Sequence, residues 1–411
     1  MLLEKSLILL QLLSIFIFIF LTNRRTNFTG RYFSPYHWFV FFIIFWFIVP
    51  QIISVFPPYS LVGLGFLGED TRKDMIVYGQ ISIFLFLFSL SIAYVFFRSV
   101  LSKNVPTEQV FNASFLTKKD LHILYWLFLI GVLCIFKLGV TFQSIEGMRS
   151  QLVKSFEGKL LTAIAFWANF SFSVLLAYFV VKKKYNRALL LLALFSSAIL
   201  LTGARGRLLW PLLISFIFLS IYYRKFPIVR ISVIGFLMVS ILVLLDPLMI
   251  AIREGNISDF FEYFRTRDIF SALFLKRNFD SFSNLSLNVY FDAVEHNWIR
   301  LFTGARNAFM EQYFPAIYNS GVGFGVTYPG TAFLGLGWLG IVLFGSFFGF
   351  VGGFLSLMIE RKMTVIQMFS YLTLMPWLCA LGGNFVENFD KMIAAIFPGV
   401  IWYFFKRVKY R

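Results

Sequence analysis

The sequence predicts an all-α polytopic integral membrane protein, and three properties of the chain support this fold class. Hydrophobic residues make up 59% of the 411 positions, charged residues make up 14%, and the mean hydropathy is +0.78. A soluble globular domain is much less apolar than this. The apolar residues are also gathered in long runs, and a run of about 20 apolar residues is long enough to cross a bilayer as a helix.

The apolar runs predict about 11 transmembrane helices, within a range of about 10 to 13. In chain order the predicted spans cover 6–21, 36–56, 76–97, 121–140, 160–181, 188–202, 208–223, 231–250, 333–358, 364–382 and 392–405. Several are short or hold Gly or Pro, as tilted membrane helices do. The first run lacks a small-residue cleavage site, which predicts a retained span and not a signal peptide.

This layout is interpreted as a single membrane domain over 1–411. The first eight spans lie within 1–250, one large loop covers 251–332, and the last three spans lie within 333–411. Cys134 and Cys379 both fall inside apolar runs, so neither a disulfide framework nor a metal site is expected.

The net charge of +17 comes from basic residues that are dispersed over many short loops. Nucleic-acid binding is not expected, because it would require a continuous basic surface. One alternating set of loops holds twenty Lys and Arg residues, and the opposite set holds nine outside its long loop. The positive-inside rule places the richer set in the cytoplasm. The N-terminus and the long loop are therefore predicted to lie outside, and the C-terminus inside.

A short glycine-bearing turn between two apolar runs holds two arginines. Gly203 and Gly206 flank Arg205, and Arg207 follows. Guanidinium groups match phosphate oxygens in charge and geometry. The turn therefore predicts a phosphate contact at the membrane surface, with a simple positively charged anchor as the alternative.

The large loop is predicted to contain amphipathic helices. In the first, 253–273, apolar residues recur at helical spacing beside Arg265, Arg267 and Asp268, which is typical of a helix lying in the membrane interface. The second, 285–302, has Leu287 and Trp298 on one side. Its polar face would present Asp292, Glu295 and His296, which stand at i, i+3 and i+4. Solvation of charge at a membrane surface is the alternative for both helices.

Two further patterns follow the second predicted helix. Thr202-Gly203-Ala204-Arg205 recurs as Thr303-Gly304-Ala305-Arg306, which adds Arg306 to the candidate phosphate contacts. The segment 320–340 holds seven glycines, among them Gly330, Gly335 and Gly337. Missing side chains permit close helix contact or irregular backbone beside a cavity. The segment lacks the Gly-Lys-Ser/Thr ending of a phosphate-binding P-loop.

Three of these features make the chain resemble O-antigen polymerases of the oligosaccharide repeat unit polymerase (Wzy-type) family. They are the Thr202-Gly203-Ala204-Arg205-Gly206 turn after a mid-chain span, the large outward loop, and the glycine-rich lead from Thr327-Tyr328-Pro329-Gly330 to Gly340. The resemblance covers the whole chain in layout.

The resemblance implies a multi-pass glycosyltransferase of the bacterial inner membrane, with an architecture like that of the GT-C class. Such an enzyme joins undecaprenyl-diphosphate-linked oligosaccharide repeat units at the periplasmic face. It transfers the growing chain onto the new unit, releases undecaprenyl diphosphate, and needs no cofactor or metal. Its expected partners are these lipid-linked oligosaccharides, membrane lipids, and a chain-length regulator and a flippase of the same pathway.

On this resemblance, arginines bind the lipid diphosphate and a histidine or carboxylate serves as the base. The first arginine candidates are Arg205, Arg207 and Arg306, and the second are Arg253, Arg265, Arg267 and Arg277. The base candidates are His296 with Glu295 and Asp292, and Asp268, Asp280 and Glu311 compete with them. An O-antigen ligase and a lipid-linked oligosaccharide flippase stay open as alternatives. The long loop after residue 250 argues against the flippase, for which about 12 spans and short outer loops are expected.

Overall fold

A computed structural model describes most of the chain as helix. The described residues are 2–23, 34–55, 69–101, 116–144, 155–202, 206–223, 280–291, 296–299, 305–315, 326–360, 364–382 and 385–407. Their helices are α1 (Leu2–Asn23), α2 (35–55), α3 (Glu69–Leu101), α4 (Lys118–Ser144), α5 (Phe156–Val181), α6 (Tyr185–Thr202), α7 (Gly206–Tyr223), α8 (Asp280–Tyr290), α9 (Ala305–Tyr313), α10 (Tyr328–Glu360), α11 (Val365–Leu378) and α12 (Phe385–Arg407). These residues contain no strand, which confirms the all-α class.

Six helices in the described ranges are long and apolar enough to cross a membrane. They are Leu3–Thr22, Pro35–Ile52, Asp70–Val100, Lys118–Gly139, Phe156–Val181 and Tyr328–Met358. This agrees with a helical membrane protein, while the total of about 11 spans stays a prediction. The predicted span 231–250 and the predicted amphipathic helix 253–273 lie outside the described residues.

The described helices fall into two compact units. The first contains α1 to α3 and α8 to α10, and the second contains α4 to α7. The last two helices contribute to both, because 364–376 and 391–411 belong to the second unit and 377–390 to the first.

In the first unit, α3 and α10 pack together along much of their length. Gly345 and Gly349 of α10 lie directly against the backbone of α3. A Cβ on Gly345 would stand 2.6 Å from the carbonyl oxygen of Phe86, and one on Gly349 would collide with that of Leu90. Small residues at such positions let two membrane helices approach closely.

The helix α2 changes its winding in the middle. It is α-helical over Pro35–Ile43, a π-helix over Ile44–Ile48 and α-helical again over Val49–Val55. Pro50 explains the change, because proline donates no hydrogen bond and its ring clashes with the carbonyl four residues earlier in a regular helix. A π turn just before the proline relieves that clash.

In the second unit, α4 packs on α5 and α6, and a buried polar contact joins its first turn to α12. Trp402 Nε1 donates a hydrogen bond of 2.8 Å to Asp120 Oδ1, and both side chains are fully buried. Thr117 also donates to Asp120 through its backbone N–H and its hydroxyl. The Asp120 carboxylate therefore meets its hydrogen-bonding needs inside the protein.

Candidate functional site

The helix α8 is a polar helix buried within the first unit. It comes from the predicted large loop and packs against α2, α3 and α10. All nine residues from 281 to 289 are buried. Their polar members are Ser281, Ser283, Asn284, Ser286 and Asn288. Burial of polar side chains among apolar helices is costly, and within membranes it commonly marks a functional site.

Glycines of the neighbouring helices make room for two of these polar side chains. Ser286 Oγ lies where a side chain on Gly79 of α3 would begin. Asn288 Oδ1 lies 2.7 Å from the position of a Cβ on Gly330, in the first turn of α10. Ser286 therefore lies against the backbone of α3 and Asn288 against that of α10, on different sides of α8.

Several hydrogen-bonding atoms in this region have no protein partner among the described residues. They are both amide atoms of Asn288, the hydroxyl of Ser286 and both amide atoms of Gln51, all fully buried. Gln51 lies on the part of α2 that packs against α8. A buried polar group without a partner costs about 1–3 kcal/mol.

Two other carboxamides in the same unit each make one protein hydrogen bond through the nitrogen, while their oxygens have no partner among the described residues. Gln11 Nε2 donates to the backbone carbonyl of Gln80 at 2.9 Å, and Gln80 Nε2 donates to that of Glu4 at 3.1 Å. These contacts join α1 to α3. Asn288 and Gln51 differ from them because both the donor and the acceptor of each side chain lack a described partner. We name the region around Asn288 and Gly330 the α8 polar site.

The first turn of α10 is firmly held beside this site. Thr327 Oγ1 accepts a hydrogen bond of 3.1 Å from the backbone N–H of Gly330, as a helix cap does. The hydroxyl of Tyr328 donates to the carbonyl of Trp377 at 2.8 Å, and its backbone N–H donates to that of Leu381 at 3.0 Å. The glycine-rich lead thus begins a well-anchored helix.

This helix breaks at Gly337, and His296 lies at the break. Gly337 has φ 62° and ψ −149°, a conformation that is essentially restricted to glycine. His296 Nε2 lies 3.0 Å from the position that a Cβ on Gly337 would take. The imidazole also contacts Phe333 edge-on, with ring centroids 5.4 Å apart. The absence of a side chain at 337 therefore creates the space that the His296 ring occupies.

Aromatic rings surround the helix break. Trp338 stacks on Tyr78 of α3 with centroids 6.3 Å apart and meets Phe333 edge-on at 5.3 Å. Tyr290, the last residue of α8, meets Tyr78 at 6.0 Å. His296 is exposed and Tyr78 is 43% exposed, so this cluster reaches the surface of the unit.

The predicted helix 285–302 is wrong at 291 and at 296–299, which are not helical, and α8 is not a surface helix. Residues 296–299 form an irregular segment that ends in a turn, in which Asn297 Oδ1 accepts a hydrogen bond of 2.9 Å from the backbone N–H of Ile299. Asparagine competes with helix in this way. His296 therefore does not share a helical face with Asp292 and Glu295, which lie outside the described residues. Trp298 is 61% exposed.

The arginine turn connects α6 and α7, two helices that follow each other in the sequence and pack on each other. The helix α6 ends at Thr202 and α7 begins at Gly206, and both also pack on α5. Gly203 and Arg205 lie outside the described residues, whereas Arg207 stands in the first turn of α7. The backbone N–H groups of a first helical turn carry a partial positive charge, which adds to that of an arginine there.

The other candidates are placed as follows. Arg306 is in the first turn of α9, Asp280 begins α8, and Glu311 is exposed on α9. Gly335 is buried in α10. The candidates outside the described residues are Arg253, Arg265, Arg267, Asp268 and Arg277.

Sequence reasoning missed Asn288, Ser286 and Gln51. Serine and asparagine at alternate positions, as in Ser281-Phe282-Ser283-Asn284-Leu285-Ser286-Leu287-Asn288, also occur on exposed helices. The available signal was the lack of any charged residue from 281 to 291 in a segment rich in neutral polar side chains. Comparison with protein-family profiles, characterised proteins and solved structures finds no match to this chain.

Proposed function

We propose that this chain is a membrane glycosyltransferase of the O-antigen polymerase type. It joins undecaprenyl-diphosphate-linked oligosaccharide repeat units at the periplasmic face of the bacterial inner membrane. The growing chain moves from its carrier onto the new unit, and undecaprenyl diphosphate is released. The proposed orientation has the N-terminus in the periplasm and the C-terminus in the cytoplasm, as the distribution of basic residues predicts.

The observation that carries this proposal is the arginine turn between α6 and α7. Two apolar helices meet there with only three residues between Thr202 and Gly206. Arg205 lies in that connection and Arg207 in the first helical turn after it. A lipid diphosphate has its phosphates at the membrane surface, where a turn between two spans presents its side chains. The resemblance in layout supports the same assignment.

The proposed reaction needs no nucleotide, because the donor carries its own leaving group. A hydroxyl oxygen of the acceptor unit forms a bond to the anomeric carbon of the donor sugar, while the bond from that carbon to the diphosphate oxygen breaks. The leaving diphosphate gains negative charge, which preorganised cations stabilise. Arg205, Arg207 and Arg306 are proposed for this role, with Arg253, Arg265, Arg267 and Arg277 as the second group.

The proton of the attacking hydroxyl passes to a base, for which histidine or a carboxylate is suited. His296 is the first proposal, because the break at Gly337 holds its ring at an exposed position. Glu295 and Asp292, one and four residues before it in the chain, are proposed with it. Asp268, Asp280 and Glu311 are the competing carboxylates.

The glycans of cells that lack this chain test the proposal. Loss of a polymerase leaves lipopolysaccharide capped with a single repeat unit. Loss of a ligase leaves lipid-linked polymer unattached, and loss of a flippase leaves the repeat units on the cytoplasmic side. A normal ladder of chain lengths in the deletion strain would contradict all three assignments, and a plasmid copy of the chain is the control.

A further inference from the structure

We infer that the connection between α5 and α6 binds the head group of an acidic phospholipid. The residues concerned are Lys183, Lys184, Tyr185, Asn186 and Arg187, which we name the α5–α6 turn site. All five are exposed, and together they line a surface cavity of about 360 Å³. Cavities that bind small molecules have volumes of about 300–1,000 Å³. The site lies within the second unit and does not depend on the proposed glycan chemistry.

The backbone of this turn is fixed by the end of α5. The N–H of Lys184 donates to the carbonyl of Phe179 at 2.8 Å, and that of Lys183 donates to the carbonyl of Val180 at 3.0 Å. Lys183 has φ 56°, the left-handed conformation that commonly ends a helix and that favours glycine. Backbone hydrogen bonds therefore hold the turn in shape, and the side chains that line the cavity are not required for this.

The cavity is cationic and has no acidic residue in its lining. Three of its five residues are Lys or Arg, and the other two carry a phenol and a carboxamide that can donate hydrogen bonds. The described acidic residues of the second unit are Asp120 and Glu157. Asp120 is fully buried and accepts from Trp402 and Thr117, while Glu157 stands in the first turn of α5, at the other end of that helix. This charge distribution matches a phosphate, which arginine binds through two parallel hydrogen bonds.

The turn lies at the level of lipid head groups. The apolar helix α5, which is long enough to cross a membrane, ends at Val181, immediately before the turn. The charge of Arg187 acts on the hydroxyl of Tyr125 in α4, so these two side chains are close. Tyr125 and its neighbour Trp126 are both exposed. Tyrosine and tryptophan, which have an apolar body and a polar end, are enriched at the membrane–water interface.

An apolar strip continues from the cavity along α6. Leu190 and Leu194 follow Arg187 at i+3 and i+7, so the three residues share one face of the helix. The two leucines are 62% and 51% exposed, and Leu194 lies about 10 Å from Arg187 along the helix axis. A phospholipid has the same arrangement, with a phosphate next to acyl chains. A soluble phosphate compound would leave the leucines unused, so the arrangement favours a lipid as the occupant.

General attraction between a basic loop and a negatively charged membrane surface is the competing explanation. That attraction depends on the number of charges near the surface and not on which lysine supplies them. A built site depends on the residues that line the cavity. Lys182 separates the two explanations, because it is exposed in the same connection but does not line the cavity.

The experiment measures lipid binding to the full chain purified in detergent. Native mass spectrometry gives the dissociation constants of dioctanoyl phosphatidylglycerol and dioctanoyl phosphatidylcholine, and glycerol phosphate is added as a competitor. Phosphatidylcholine has the acyl chains without a net negative charge, and glycerol phosphate has the phosphate without acyl chains. The variants are Lys184→Ala, Arg187→Ala and Lys183→Gly, with Lys182→Ala as the matched control.

We expect wild type to bind phosphatidylglycerol at least about tenfold more tightly than phosphatidylcholine. Lys184→Ala and Arg187→Ala should each weaken the binding of phosphatidylglycerol about tenfold, because each removes a charged hydrogen-bond donor. Lys182→Ala should weaken it by less than about twofold. Glycerol phosphate should compete only at concentrations at least about tenfold above that of the lipid, since it lacks the acyl chains.

Lys183→Gly separates binding from folding. Glycine adopts φ 56° without strain, so the unfolding temperature of the lipid-free protein should not fall below that of wild type. The loss of the ammonium group should still weaken the binding of phosphatidylglycerol about tenfold. A binding defect in this variant is therefore not a consequence of unfolding.

Equal binding of the two lipids by wild type would overturn the inference. Equal losses of binding in Lys182→Ala and Lys184→Ala would also overturn it, because only general attraction to a basic surface would then be left. Competition by glycerol phosphate at the same concentration as the lipid would contradict a lipid occupant and favour a soluble phosphate compound. Unchanged lipid binding by both Lys183→Gly and Arg187→Ala would show that the cavity takes no part in the interaction.

Discussion

The Oδ1 atom of Asn288 lies 2.7 Å from the point where a Cβ on Gly330 would stand, so α8 and α10 approach each other at a carboxamide and a missing side chain. This contact joins a polar helix from the middle of the chain to the start of a long apolar helix. It has direct consequences for substitutions at both positions.

Gly330→Ala is expected to destabilise the protein by about 1–3 kcal/mol, because the methyl group overpacks the contact with Asn288. Unfolding temperatures in detergent measure the effect. Asn288→Ala in the same chain provides the control, since it removes the obstructing group. The double variant should be more stable than the sum of the two single effects predicts, by about 0.5 kcal/mol or more. Simple additivity would show that the two residues do not meet.

Gly337→Ala is expected to cost about 1–3 kcal/mol, because φ 62° and ψ −149° are unfavourable for any residue with a Cβ. The new methyl group would also displace the His296 ring, which lies 3.0 Å from its position. Under the proposed function, shorter glycan chains accompany the loss of stability. Leu339→Ala, a change at an exposed position two residues later, is the control and should alter neither property. A fully stable Gly337→Ala protein would argue against the helix break.

Arg205→Ala and Arg207→Ala are each expected to abolish or sharply shorten the long glycan chains. Loss of one preorganised group that stabilises developing negative charge lowers a rate by about 10²–10³-fold. Gel electrophoresis of lipopolysaccharide measures chain length, and immunoblotting of membranes checks that the protein persists. Lys182→Ala, in the connection between α5 and α6, is the matched loss of a surface charge. A normal distribution of chain lengths in both arginine variants would remove the turn from the mechanism.

A cysteine at position 204 is expected to react with a membrane-impermeant thiol reagent added from the periplasmic side, because the arginine turn is predicted to face outward. Cys134 and Cys379 are first replaced by alanine. A cysteine in place of Lys184, which is exposed beyond the other end of α6, should react only after the inner membrane is opened. The reverse labelling pattern would invert the predicted topology.

The helices were predictable because their signal is local. The apolar run 208–223 corresponds to α7, which begins at Gly206, and the run 121–140 corresponds to α4 over Lys118–Ser144. Length and hydropathy of a segment suffice for this, since they determine whether it favours the membrane as a helix. Near His296 the same approach failed, because the turn at Asn297 depends on a side-chain hydrogen bond that competes with the helix.

By itself, the sequence determined the all-α class and the approximate limits of the described apolar helices, because both depend on the composition of contiguous segments. Only the tertiary structure decided that Asn288 and Ser286 are buried and that His296 lies against Gly337. Burial is a property of the surroundings, and the surroundings of α8 come from α2, α3 and α10, which are distant from it in the chain. A neutral polar helix has the same sequence pattern on a surface as in a core, so packing alone distinguishes the two.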